Sequence, residues 1–287
     1  MIWRRGKGKW RPVVENASFS VFESGFLQTG SLEPLVALCE RDPMSELVKR
    51  VFPAGLGVLE AGAGDGRWVV YLSRAEYDAV GIEYSAELCS KFNCAFPELH
   101  MEQGDLRRMP FEDNSFDGVV SFGAIEHVPE GPECCIREIA RVLRPGSKAI
   151  LTVPNTALFQ RGYHAARDAY HWLRYPGLRS DMKAIRDSTR SDLYCFSVPL
   201  PGHAGMAFFE YRMSPAHLAR TVRSCGMNVL ESFSMYPEAG IYNTLRSLGA
   251  RYRPGGDVEL TALGGLIRRI VPENSYNHMA CVLCEAR

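Results

Sequence analysis

Two acids frame three glycines in the stretch Gly57 to Ser85, GVLEAGAGDGRWVVYLSRAEYDAVGIEYS. Glu60 closes a short apolar run (Val58, Leu59). Gly62, Gly64 and Gly66 follow at alternate positions, and Glu83 closes a second apolar run (Ala79, Val80, Ile82). Glycines at this spacing let a backbone turn sharply and pass close to a ligand. The acid at the tip of the second strand is placed to accept hydrogen bonds from a ribose diol. Strand, glycine turn, helix, strand, acid is one half of a nucleotide-binding α/β sheet. Two phosphate-binding forms of that unit are excluded. Arg67 stands where G-x-G-x-x-G needs its third glycine, and no G-K-S/T follows.

Histidines are the candidate proton acceptors. His127, in the turn Ala124-Ile125-Glu126-His127-Val128, lies just after an apolar strand pattern, and imidazole titrates in a useful range. His164, Asp168 and His171 are spaced i, i+4, i+7, so they share a face if the segment is helical. Such a face can hold a metal, present a base with its orienting acid, or simply meet solvent. His164 and His171 are taken as catalytic candidates, and no metal is assigned. Tyr163, Arg167 and Tyr170 form an adjacent stripe suited to an aromatic pocket. His203, in PLPGHAG, is a further pocket candidate. So is Arg212, in FFEYRMS, which can meet a substrate carboxylate or phosphate or else form a surface ion pair.

Positioning these groups requires regular elements. Strands and helices alternate from residue 53 to 155, the signature of a parallel sheet with helices on both faces. After Gly131 and Pro132, the residues Ile136, Ile139, Ala140 and Leu143 repeat at i, i+3, i+4 and i+7, and Pro145-Gly146 stops the helix. Ser214-Pro215 starts another, with Leu218, Val222 and Cys225 inward and Gly226 as its stop. Asn228 to Tyr236 and Met279 to Glu285 read as the last two strands, antiparallel partners. Residues 1 to 12 read as a mobile basic arm, or as a contact to an acidic partner or membrane surface. Residues 17 to 52 carry apolar side chains at helical spacing, Phe22 and Phe26 among them. Two segments, 156–208 and 237–276, interrupt the alternation and mix helical pattern with aromatics and arginines. The first is the natural lid, since loops beyond the carboxyl ends of strands form the ligand crevice.

The glycine segment resembles motif I of class I S-adenosylmethionine (SAM)-dependent methyltransferases. Further motifs follow in the matching order: Gly104-Asp105-Leu106, then Phe111 to Asp117 (FEDNSFD), Val119 to Gly123, the turn through His127, Leu143 to Gly146, and the fifth strand Ala149 to Asn155. That order is similar to the small-molecule enzymes of the ubiquinone and menaquinone biosynthesis type. The resemblance covers Gly57 to Asn155 well and Phe209 to Met227 loosely. It implies an α/β, Rossmann-like fold: a seven-stranded, mostly parallel sheet with helices on both faces and helical lid insertions. The cofactor implied is S-adenosyl-L-methionine, which has no phosphate and so needs close backbone approach but no anion hole. Glu60 then lies near its methionine end, with Gly62, Ala63 and Gly64 as the close-approach backbone. Glu83 takes the ribose hydroxyls, Tyr84 stacks on adenine, Asp105 and Leu106 meet the adenine edge and face, and Phe122 and Gly123 lie under the methionine moiety. His127 falls beside the expected reaction centre. In similar enzymes an N-terminal helical segment closes over the cofactor, which brings Phe22 and Phe26 toward the acceptor.

The organisation expected is an arm and helical cap (1–52), a cofactor core (53–155), a lid (156–208) and a C-terminal part of the core (209–287). Lysine plus arginine equals aspartate plus glutamate, 33 each, which argues against a general nucleic-acid binder. No apolar run reaches transmembrane length, and the basic start lacks the apolar core of a secretory signal. Nine cysteines make no disulfide or zinc framework, and Cys281 and Cys284 should face opposite ways in a strand. A reduced, cytoplasmic protein is expected. The acceptor expected is a small organic molecule, by oxygen first and then nitrogen or carbon, such as a secondary metabolite, quinone precursor or lipid. RNA or protein as substrate, or a SAM-binding scaffold without turnover, are the alternatives. The second insertion, with Tyr242, Arg246, Arg251, Tyr252 and Arg253, reads as a lid or a homodimer interface.

Overall fold

The computed structural model describes residues 3–6, 9–12, 32–199, 205–252 and 258–287. Phe22, Phe26, His203 and Arg253 lie outside them. A hairpin comes first, β1 (Trp3–Gly6) and β2 (Lys9–Pro12). Helices α1 (Glu33–Arg41) and α2 (Pro43–Val51) follow. Asp42 starts the second: its carboxylate accepts from the Met44 amide, and Pro43 takes the first helical position. The core then alternates through β3 (Gly57–Ala61), α3 (Arg67–Arg74), β4 (Asp78–Glu83), α4 (Ala86–Ala95) and β5 (His100–Gln103). It continues with β6 (Phe116–Phe122), α5 (Glu133–Val142) and β7 (Leu143–Pro154).

Next come α6 (Leu158–Arg174), α7 (Arg179–Ser188) and the strands β8 (Tyr194–Pro199) and β9 (Met206–Arg212). The chain ends with α8 (Pro215–Ser224), β10 (Asn228–Met235), α9 (Pro237–Leu245), the short pair β11 (Ala250–Tyr252) and β12 (Val258–Leu260), α10 (Ala262–Ile270) and β13 (Met279–Glu285). No described helix is long and apolar enough to cross a membrane.

Seven strands make one sheet, in the order β10-β13-β7-β6-β3-β4-β5. The pairs β3–β4, β4–β5, β3–β6 and β6–β7 are parallel, and β13 runs antiparallel to both β7 and β10. Alternation along the strands builds a core layer on each face. Val58, Val120, Ile150 and Cys281 bury in one layer, and Leu59, Val119, Leu151 and Val282 in the other. Each of the aliphatic side chains among these contributes about 1.5–3 kcal/mol on burial. Cys281 and Cys284 enter opposite layers, as strand alternation requires. The chain runs outward from β3 through β4 to β5, then returns to β6 on the other side of β3. That reversal opens the crevice where open α/β sheets bind ligands, at the carboxyl ends of β3 and β6.

Four features depart from the sequence reading. The N-terminal basic segment is not a free arm: β1 pairs with β9 through Trp3 and Phe208, which makes a second sheet, β2-β1-β9-β8. The first insertion is not purely helical, since its last third forms the hairpin β8–β9, and β9 runs across the 208/209 boundary. Its alternation is broken by a bulge between Phe196 and Ser197, which hides the strand period in the sequence. The second insertion likewise contains a small β11–β12 pair between helices. Strand β7 begins at Leu143, ahead of the Pro145-Gly146 turn, because the register with β6 shifts between Phe116 and Gly118 and absorbs that turn as an irregularity.

Candidate active site

The glycine loop sits at the switch point. The amides of Gly62 and Ala63 both donate to the Ile82 carbonyl at 2.9 Å, tying the loop to β4. Glu83 ends that strand and turns its carboxylate onto the loop: Oε2 accepts from Gly64 N at 3.0 Å and Oε1 from Ser85 N at 2.9 Å. The carboxylate is thus fixed in direction and keeps lone pairs for two hydroxyl donors. A Cβ added at Gly64 would meet nothing within 4 Å, so the loop has open space beside it. Leu106 approaches the loop, 3.4 Å from where a Gly62 Cβ would stand. Asp105 is held by Arg107, whose guanidinium donates to both its carboxylate oxygens and whose amide donates to Oδ1 at 2.8 Å. Burial opposes ionisation of Asp105, but these bonds outweigh it and hold the carboxyl below its ordinary value. Phe122 packs edge-on against Trp68, centroids 4.9 Å apart, and Gly123 follows with φ +72°. Tyr84 is 43% exposed, so its ring is available at the surface beside Glu83.

Glu60 is buried, and its Oε2 has no hydrogen-bond partner. Burial first, then the charge of Asp65, push its carboxyl well above the ordinary range. Three acids around the loop (Glu60, Asp65, Glu83) would repel a phosphate and favour a cationic ligand. This donor set fits the sulfonium, amine and ribose of S-adenosylmethionine, which Glu60, the glycine backbone, Glu83 and Asp105 would hold.

Beyond β6 the chain makes a single 3-10 turn, Ile125–His127, under β9. His127 Nδ1 lies 2.7 Å from the Phe209 carbonyl, so it carries the proton and donates, and the ring packs edge-on against Phe209. Its Nε2 lies 3.9 Å from Glu126 Oε1. Burial lowers the imidazole pKa to about 3, against the pull of the Phe209 and Gly123 backbone. The ring is therefore neutral at physiological pH. Glu126 is 1% exposed with Oε2 unpartnered, and burial plus the neighbouring Glu210 push its carboxyl well above the ordinary range. Glu210, on β9, is buried and raised as well, chiefly by burial. One ligand atom from each of Glu126, His127 and Glu210 falls within 4.8 Å of the others. Such a group can store and pass a proton, and its atoms could also surround a divalent cation. Two buried carboxylates this close favour a shared proton.

A family model described as a methyltransferase domain matches residues 59–151. Residues 59–151 are a methyltransferase domain. The family implies S-adenosyl-L-methionine as cofactor, in agreement with the donor set of the loop. Among similar proteins is a probable S-adenosylmethionine-dependent methyltransferase of Mycolicibacterium smegmatis, 30% identical over 41% of this chain and 46% of the relative. A demethylmenaquinone methyltransferase of Staphylococcus aureus is 29% identical over 38% of this chain and 48% of the relative. The chain thus spans about half the length of these curated relatives. The fold of the methyltransferase domain and its surroundings resembles a SAM-dependent methyltransferase of Methanosarcina mazei, with TM-score 0.56 and 14% identity, covering 84% of this chain and 96% of that one.

Helix α6 packs against the β8–β9 hairpin, and its amphipathicity is inverted. Its buried residues are Gln160 and His164, whereas Leu158 and Leu173 are 66% and 74% exposed. The inward stripe meets the hairpin. Tyr194 pairs across the strands with Arg212, and Phe196 with Glu210, so the four share one face of β8–β9. Arg212 forms a buried ion pair with Glu210 at 2.6 Å and lies over the Phe196 ring at 4.8 Å, which corrects the surface pair allowed by the sequence. Arg167 lies over the same ring at 4.0 Å and pairs with Asp168 at 2.6 Å.

His164, Asp168 and His171 do not close into one site. His164 packs against Phe196 and Tyr194, Asp168 is taken by Arg167, and His171 packs against Tyr170 and Tyr175. Tyr163 lies edge-on to His164 and under Arg246, while Tyr170 is 56% exposed on the outer face.

The sequence reading passed over Glu126 and Glu210. Glu126 stood beside His127 in the turn already singled out. Glu210 carried a signal too: an acid inside the apolar run AFFEY is a buried polar group awaiting a reason.

Proposed function

We propose that the protein is a SAM-dependent methyltransferase acting on a small organic acceptor held between the crevice and the α6 lid, with an oxygen nucleophile. When bound, S-adenosylmethionine supplies an already activated methyl group, so the protein's share is to position two reactants and exclude water. The observation that carries the reading is the buried Glu126–His127–Glu210 group directly after β6, beside the cofactor loop. A hydroxyl nucleophile must lose a proton as it is alkylated, and a positioned acceptor for that proton accelerates the step. The carboxylates fill that role better than the imidazole, because burial depresses the basicity of His127 and raises that of Glu126 and Glu210. His127 is anchored through Nδ1 to the Phe209 carbonyl and packs beside the neighbouring carboxylate, its Nε2 3.9 Å from Glu126 Oε1. The aromatic rings of Phe196, Phe209 and Tyr194 around the hairpin favour an acceptor with apolar or aromatic surface, such as a secondary metabolite, a quinone precursor or a lipid.

The test is transfer of radiolabelled methyl from S-adenosylmethionine into a host extract separated into small molecules, lipids, RNA and protein. Label in the small-molecule or lipid fraction, abolished by Glu83→Ala, is expected. Label in RNA or protein would overturn the acceptor class.

A further inference from the structure

An inverted helix needs something polar beneath it. The inward stripe of α6 carries Gln160, His164 and Arg167 at i, i+4 and i+7, positions that in an ordinary covering helix would be apolar. Gln160 is 1% exposed, and neither its amide oxygen nor its nitrogen has a partner. His164 Nδ1 and Tyr194 Oη are likewise buried and unpartnered. Unmet polar atoms at this density are rare inside proteins and mark a place where a ligand completes the bonding.

The sign of the charge there is positive. Burial lowers the His164 pKa to about 3, and Arg212, Arg167, Arg246 and His278 all push it the same way. Three guanidiniums converge on this spot against two carboxylates, Asp168 and Glu210. Arg246 is exposed at the edge of this cluster: it lies 5.9 Å from the Tyr163 ring centroid and 5.8 Å from that of Tyr242, and among the described residues it forms no ion pair. The guanidinium without a carboxylate partner thus stands at the solvent-exposed edge of the cluster, open to an incoming anion. The cluster reaches the reaction centre through Arg212, whose ion-pair partner Glu210 belongs to the proton-accepting group.

We propose that the underside of α6 is an anion seat that binds a carboxylate on the acceptor, so the substrate is a small organic acid. The inference rests on the methyltransferase reading for what the seat is used for. It does not rest on that reading for whether an anion binds. A carboxylate offers oxygen acceptors for the Arg246 and Arg212 guanidiniums and the buried Gln160 and Tyr194 donors. The surrounding rings of Phe196, Tyr163 and Tyr194 suit an aromatic body behind it.

The experiment is a titration of the full chain, saturated with S-adenosylhomocysteine, with benzoate, benzamide and phenyl phosphate, followed by NMR line shifts. Benzoate is expected to bind about tenfold or more tightly than benzamide, because a charge-assisted contact is lost in the amide. Arg246→Met is expected to weaken benzoate by at least the same factor and to leave benzamide unchanged. That variant strands no buried carboxylate, so it should fold; Arg212→Met, which strands Glu210, serves as the second variant with its fold checked by circular dichroism. Equal binding of benzoate and benzamide, or benzoate binding untouched by Arg246→Met, would overturn the proposal. Tighter binding of phenyl phosphate would overturn the carboxylate assignment. S-adenosylhomocysteine affinity is measured separately: its absence would sink the methyltransferase reading, while the benzoate arm, run without it, still decides the anion seat.

Discussion

Gly62 and Ala124 touch across the mouth of the crevice: a Cβ on Gly62 would stand 2.3 Å from the Ala124 Cβ. The glycine loop after β3 and the turn after β6, which carries Glu126 and His127, are thereby locked together. Gly62 also holds φ at +85°. Gly62→Ala is therefore expected to lower unfolding stability by about 1–3 kcal/mol, through strain and clash together. Gly64 has φ +58° but open space around it, so Gly64→Ala should cost only about 1 kcal/mol of stability. Its methyl would instead occupy the approach to the loop and reduce SAM affinity. Urea midpoints and calorimetric SAM affinities for both variants separate the two effects. Full SAM affinity in Gly64→Ala would rule the loop out as the cofactor seat.

The central sheet was legible because its signals are local. Gly62 to Glu83 encode a strand, a turn, a helix and an acid within one short segment, and Ser214-Pro215 and Gly226 punctuate a helix unambiguously. The second sheet was not legible, since Trp3 and Phe208 meet only through a contact some two hundred residues apart, and the bulge at Phe196/Ser197 erases the period of two. The same long-range pairing explains what was missed in the site. Arg212 was singled out, but its partner Glu210, two residues away, acquires meaning only once β9 lies over Glu126 and His127. His164 and His171 fell on the expected helix, yet the tertiary packing gave each its own aromatic neighbours rather than a shared site.

Glu60 predicts a proton linkage of cofactor binding. Its carboxyl is held well above the ordinary range by burial and by Asp65. A cationic ligand beside it favours the ionised form, so SAM binding should release a proton. Below the raised pKa the affinity for SAM should therefore fall as pH falls. Binding enthalpies in buffers of different ionisation heat measure the release. Glu60→Gln should remove the buffer dependence and weaken SAM several-fold. Wild-type enthalpies that do not depend on the buffer would refute the linkage.

Glu126→Gln tests the proton acceptor. Removal of a general base costs about 100-fold or more in turnover. The expected result is that loss in kcat with SAM affinity within about twofold of wild type, since the residue lies outside the glycine loop. A base acts only when deprotonated, and the Glu126 carboxyl is raised. Wild-type activity should therefore be lost as pH falls through that raised pKa, while the variant keeps a flat, low profile. EDTA should leave the wild type unaffected; strong inhibition by EDTA would move the role of the Glu126–His127–Glu210 group to a bound cation.

His164 links helix α6 to acid stability. Its folded pKa is about 3, lowered by burial and then by Arg212, whereas an unfolded histidine titrates near the ordinary 6.5. The unfolded chain thus binds this proton first. The stability that the neutral ring contributes is fully present above pH 6.5 and is lost as pH falls from there toward 3, by up to about 1.4 kcal/mol per pH unit. Phenylalanine keeps the aromatic packing against Phe196 and Tyr194 and cannot be protonated. It also forfeits no hydrogen bond at Nδ1, which has no partner. His164→Phe should therefore match the wild type near pH 7.5 and exceed it at pH 5. Urea midpoints measured at both values check the sign. A variant that tracks the wild type at pH 5 would mean that the His164 ring is solvated in the folded protein and that α6 does not seal the polar cluster beneath it.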